Sequence, residues 1–106
     1  MTRQELPNIK DRVYSLSILL GACAYQKIEI EKISPFMNGF IVIFKDFDGD
    51  AILHDGSYGR GLCKWETIGF PWDGEDVSIH SPAILAEMLG ALKRGEDWEW
   101  YERSEK

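Results

Sequence analysis

With 106 residues the chain has room for one domain with a thin core, and it is too short for most enzyme folds built around an enclosed cavity. Apolar residues make up 44% and charged residues 28%, which excludes a disordered or collagen-like chain. The formal net charge of −6 is unevenly spread: residues 1–45 carry six basic against four acidic side chains, residues 46–106 six against fourteen. Such a balance repels phosphate, so it excludes direct nucleic-acid binding by the second half and favours a basic partner surface.

In chain order, Pro7 suits the first turn of a helix, where its missing N–H has no partner to lose. A helix is expected over Pro7–Tyr25, its core stripe formed by Ile9, Val13, Leu16, Leu20 and Cys23. Val13–Ala24 also imitates a signal-peptide core ending in Ala22-Cys23-Ala24. Glu5 and Asp11 occupy the stretch that a signal keeps positive, and Ser15 and Ser17 interrupt the run, so neither secretion nor a membrane span is expected.

Lys27–Lys32 alternates isoleucines with charges, the pattern of a half-buried strand, and Ser34-Pro35 is expected to end it. Asn38-Gly39 marks a turn. Phe40–Phe44 is an uninterrupted run of β-formers and the best candidate for a central strand. Asp46–Asp50 turns the chain into a return strand, Ala51–His54, and Leu62-Cys63-Lys64-Trp65 reads as a fourth, shorter strand. Residues 67–80 look irregular. Ser81 caps a second helix with Pro82 at its first position, Leu85, Met88, Leu89 and Leu92 form its buried stripe, and Gly95 stops it. The segment through Trp98 and Trp100 reads as an edge strand or a short helix, with residues 102–106 a disordered tail.

These elements predict a single α+β domain over residues 1–106, in the order α-β-β-β-(β)-α-tail. A small antiparallel sheet of three to five strands carries two helices packed on one face and leaves the other face partly open.

Several residue groups suggest chemistry. Asp46, Asp48 and Asp50 resemble the start of a calcium loop, but the sixth and twelfth places hold Ala51 and Ser57 instead of Gly and Glu, so an Asp-Gly hairpin explains them better. Gly56–Gly61 is glycine-rich, and Gly59, Arg60, Gly61 and Lys64 form an alternative anion-binding site, in a pocket lined by Tyr58 and Trp65; the following Leu62-Cys63-Lys64-Trp65 does not read as the helix that phosphate loops lead into. Cys63 with His54 or His80 would make a nucleophile and base, yet no nucleophile motif surrounds it. Cys23 and Cys63 read as reduced core thiols in a cytoplasmic protein, and no motif implies a metal or cofactor.

The segment Trp65–Asp76 is the most informative. It interleaves Trp65, Phe70 and Trp72 with Asp73, Glu75 and Asp76 in a Gly/Pro-broken stretch, and Trp98 and Trp100 repeat the pairing among further acids. Loop aromatics either close over a thin core or anchor a partner. The expected function is a non-enzymatic protein-binding or inhibitory module that sets these residues against a basic partner. In a special version, its carboxylates stand in for the phosphates of a nucleic acid, as in small acidic inhibitors of nucleic-acid-handling proteins. The second reading is a small-ligand, anion- or phosphate-binding domain or minor enzyme that uses the Gly56–Gly61 loop, and a third is a homo-oligomeric piece that pairs through the open sheet face or the tail strand.

Overall fold

The computed structural model describes residues 9–104. Helix α1 (Ile9–Tyr25) leads into strands β1 (Ile30–Phe36), β2 (Gly39–Phe44), β3 (Asp50–Leu53), β4 (Trp65–Ile68) and β5 (Val77–His80), then helices α2 (Pro82–Arg94) and α3 (Glu99–Ser104). The α+β class and the element order are as predicted, with the helix start expected at Pro7 lying outside the described residues. The strands form one antiparallel meander in the order β1-β2-β3-β4-β5.

Three local expectations shift. The β1–β2 turn is centred on Met37 and Asn38, at φ 46° and 58°, rather than on Asn38-Gly39. Two left-handed residues in succession match the twist of a two-residue hairpin. Gly39 instead opens β2 without a side chain because β3 passes close by: a Cβ there would lie 1.9 Å from the Leu53 carbonyl oxygen. Pro35 does not end β1, which runs through it to Phe36; as an edge strand, β1 tolerates a residue without an N–H. The fourth strand begins at Trp65, because Arg60–Leu62 forms a 3-10 turn that Cys63 closes at φ 52°.

A fifth strand lies within the stretch expected to be irregular. Its inward residues, Ser78 and His80, are polar, so the apolar alternation that marks a strand is missing there. The tail resolves as a helix, and Glu102–Ser104, expected in a disordered tail, belong to α3; residues 105 and 106 lie outside the described residues.

Strand pairing sorts the side chains into two faces. Phe40 and Leu53, Val42 with Ala51 and Thr67, and Trp65 with His80 share one face, and α1 and α2 cover it through Leu19, Cys23, Leu85, Met88 and Leu89. Helix α2 follows its predicted stripe. Ser81 accepts a hydrogen bond from the Ile84 N–H, and Gly95, at φ 74°, returns its N–H to the Ala91 and Leu92 carbonyls.

Helix α1 is rotated from its predicted stripe. It buries Arg12, Ser15, Leu19 and Cys23, while Ile9 and Val13 stay about half exposed, at 48% and 47%. Polar anchors set this rotation. Arg12 Nη1 donates to Asp55 Oδ1 at 2.7 Å and to the Asn38 carbonyl at 2.8 Å. Ser15 donates to the Cys63 carbonyl and accepts from the Trp65 indole N–H at 3.0 Å. Three elements that lie far apart in sequence are thereby fastened to one helix.

Gly39→Ala should lower stability by about 3 kcal/mol in urea titration, the upper range for single substitutions, since the β3 backbone cannot yield without breaking its pairing. A second expectation concerns pH. Hydrogen bonds from Arg12, then Asn38, hold the Asp55 carboxyl below its ordinary pKa. The folded value lies below the unfolded one, so this stabilisation is complete above about pH 4 and is lost as pH falls through the folded value. Thermal melts across that acid range should show Asp55→Asn less stable than wild type at neutral pH, with the difference shrinking as the solution is acidified.

Candidate functional site

The acidic, aromatic segment divides between core and surface. Trp65 is fully buried beneath α1, Phe70 is 3% exposed and Trp72 9%. Phe70 and Trp72 stack at 4.8 Å, and Trp72 meets Trp98 edge-on at 5.6 Å, so the β4–β5 loop folds back and closes one end of the core. Asp73 is buried too and staples this loop. Its carboxylate accepts from the Thr67 and Ser78 hydroxyls and from the Phe70 N–H at 3.1 Å, and Thr67 in turn accepts from the Trp72 indole at 3.0 Å.

Asp73, Ser78 and His80 bring together the residue types of a hydrolytic triad, with Ser78 Oγ 2.6 Å from His80 Nε2. The polarity is wrong for catalysis. Ser78 gives its only proton to Asp73, so His80 Nε2 must be the donor in the second bond. A nucleophilic serine needs the opposite order, with the imidazole between the carboxylate and the hydroxyl and accepting the serine's proton. His80 is 2% exposed, so the three residues form a structural staple.

The surface part of the segment gathers at one pole of the molecule. The β2–β3 and β4–β5 loops leave the sheet at the same end, where Gly49 lies against the Phe70 ring. The Trp72–Trp98 contact brings the α2–α3 connection to that end as well. Asp46, Asp48, Glu75 and Asp76 are exposed there and Asp50 is half-buried. None of the five forms an ion pair among the described residues. Glu96, Asp97 and Glu99, by contrast, are offset by Arg94 and Arg103. Trp100, 60% exposed, supplies an aromatic surface on α3 beside Tyr101.

The alternative anion site fares differently. Within residues 56–64 the N–H groups of Ser57, Arg60, Leu62, Cys63 and Lys64 bond to carbonyls of the same loop and its approach. Gly56 donates to His54 Nδ1 and Tyr58 to the Glu66 carboxylate at 2.7 Å. Most of the loop's N–H groups are thus spent on its own carbonyls, and the Tyr58 N–H already holds a carboxylate. Arg60 and Gly61 are exposed, Gly59 is buried, Lys64 is partly buried, and Tyr58 and Trp65 do not line a common pocket, since Tyr58 is 73% exposed and Trp65 lies under α1.

Neither cysteine is poised as a nucleophile. Burial pushes Cys23 up to about 12, and burial together with the Asp11 carboxylate raises Cys63, partly offset by Arg12. His54 Nδ1 already accepts from Gly56, which leaves that nitrogen no role as a base. Among the described residues no three His, Cys, Asp or Glu side chains converge to hold a metal ion. A shallow groove of about 460 Å³ opens at the far pole between Ile9 and the Pro35–Phe40 hairpin, and no acid, base or nucleophile among the described residues lines it.

Two features escaped the sequence reading. One is the contribution of Asp46 and Asp48 to the acidic pole, hidden because the pairing of the two loops is a tertiary fact. The other is the apolar make-up of the second sheet face, expected only to be partly open, which carries Ile41, Ile43, Ile52, Ile68, Val77 and Ile79. A signal for it existed: Phe40–Phe44 is apolar at every position, so both faces of that strand are apolar. No family model matches the chain, and neither a curated protein nor a solved structure is similar to it.

If Asp73 staples the loop, Asp73→Ala leaves the Thr67 and Ser78 hydroxyls without their acceptor. Stability should fall by about 3 kcal/mol, and the tryptophan emission should shift to the red as Trp72 meets water. Unchanged emission and an unchanged urea midpoint would remove Asp73 from this role.

Proposed function

We propose that the chain is a non-enzymatic protein-binding module whose acidic pole engages a basic surface on another protein. The observation that supports this reading is the convergence of Asp46, Asp48, Asp50, Glu75 and Asp76, none of them ion-paired among the described residues, at one end of the sheet, with Trp100 exposed on α3 two residues beyond Trp98. Clustered carboxylates of one sign raise the rate of encounter with a basic partner, and an exposed tryptophan supplies a desolvated anchor. Trp65, Phe70, Trp72 and Asp73 have the supporting role of holding the loop that presents Glu75 and Asp76. Proteins that handle nucleic acids present basic surfaces, and an inhibitor that offers carboxylates in place of phosphates fits such a partner. Two free thiols, Cys23 and Cys63, suit a reducing compartment, and we place the module in the cytoplasm. No described helix is long and apolar enough to cross a membrane.

The test is capture of partners from lysate of the source cells by wild type, by Asp48→Lys/Glu75→Lys/Asp76→Lys and by Trp100→Ala. A basic protein retained by wild type at low salt, released as salt rises and lost with the charge-reversed variant is the expected result. Capture indifferent to both salt and charge reversal would refute the acidic pole as the binding surface.

A further inference from the structure

We propose that Asn38 is a site of spontaneous deamidation, which Asp55 holds in check. The β1–β2 hairpin requires both residues of the labile Asn38-Gly39 pair. Asn38 takes a left-handed conformation at φ 58°, which asparagine tolerates better than most side chains, and β3 passes too close to Gly39 for any Cβ. A glycine after an asparagine leaves the backbone nitrogen unshielded, and that nitrogen is the nucleophile. It attacks the Asn38 side-chain carbonyl carbon and closes a succinimide ring. The amide C–N bond breaks, and the amide nitrogen leaves as ammonia with the proton that the Gly39 nitrogen gives up. Water then adds to either ring carbonyl and opens the ring to aspartate or isoaspartate. Asn38 is exposed, so water and base reach it. The other asparagine of the sequence, Asn8, is followed by Ile9, whose branched side chain crowds the corresponding nitrogen.

The bonds that hold the tip of this turn run to Asp55 and Arg12. The Asn38 amide donates to Asp55 Oδ2 at 2.9 Å, the Asp55 N–H donates to the Met37 carbonyl at 3.0 Å, and Arg12 donates to the Asn38 carbonyl at 2.8 Å. Ring closure must swing the Asn38 side chain off Asp55 and back over the Gly39 nitrogen, where β2 begins opposite Phe36. The carboxylate that grips the amide therefore sets how often the side chain is free. Arg12 depends on the same group, because Asp55 Oδ1 is its ion partner at 2.7 Å. Isoaspartate runs the main chain through the former side chain and adds one carbon to a two-residue turn. With Gly39 packed on the Leu53 carbonyl, β2 has no room to absorb it, and the Asn38 carbonyl is drawn away from Arg12. Deamidation thus releases an anchor of α1 and couples the age of the molecule to the seating of its first helix.

Peptide mapping by mass spectrometry, after prolonged incubation in mildly alkaline buffer, should find the amide-to-acid mass gain at Asn38. The Asp-Gly steps at Asp48, Asp55 and Asp73 do not confuse this readout, because rearrangement of an aspartate leaves the mass unchanged. Asp55→Ala should speed the reaction about tenfold, the factor carried by one hydrogen bond to a charged acceptor. Asp73→Ala, which loosens the fold at the opposite pole, should leave the rate near that of wild type. If Asp55→Ala misfolds, wild type in urea decides. Below the unfolding transition its rate should stay level, since a local opening exposes little surface. Equal acceleration in the two variants overturns the proposal, as does a wild-type rate that climbs with urea in step with the unfolded fraction, or a mass gain at Asn8 alone.

Discussion

Apolar side chains cover both faces of the central strands, while the helices cover only one. Val42 and Phe44 turn to the helices and Ile41 and Ile43 turn away, so strand β2 has a hydrophobic reason to be covered twice. α1 and α2 meet that demand on one side, where Leu19, Leu85, Met88 and Leu89 close over Trp65, Val42 and Leu53. Everything else about the molecule is arranged around this unequal covering. The long β4–β5 loop folds over the end of the filled layer, and its aromatics extend the core toward Trp98.

Orientation within the filled layer is decided by polar groups. Burying the guanidinium of Arg12 at 1% exposure is costly, and the cost is offset only where Asp55 and the Asn38 carbonyl are in reach. Two of its nitrogens, Nε and Nη2, find no acceptor among the described residues, so the site is not optimised for stability. Its effect is on geometry. One rotation of α1 satisfies Arg12, Ser15 and the Trp65 indole together, and the more hydrophobic stripe through Ile9 and Val13 is left half in water. At the other pole, Asp73 sets the loop in the same manner.

What could be read in the sequence was whatever depends on near neighbours. The caps of α2, the class of the fold, the central strand and the pairing of acids with aromatics all follow from residues within a turn or two of one another. The rotation of α1 did not, because hydrophobic periodicity ranks Val13 above Arg12, and only the distant Asp55 reverses that order. Strand β5 was hidden by its inward Ser78 and His80, whose burial makes sense only once Asp73 is in place. The aromatic segment was recognised as a unit, yet a sequence could not say which of its members face inward. Trp72 and Asp73 turn in, Glu75 and Asp76 turn out, and Gly74 at φ 60° lies between them.

Strand β1 shows how a chain with apolar residues on both sheet faces can limit its own growth. Its outer edge combines Pro35, which brings no N–H, a register shift between Ile30 and Lys32, and the charges of Glu31 and Lys32. The opposite edge, β5, is four residues long and passes almost at once into α2. Neither border makes a good template for an added strand. Lateral extension into ribbons and amyloid-like fibres is therefore discouraged at both margins, whatever meets the isoleucine face.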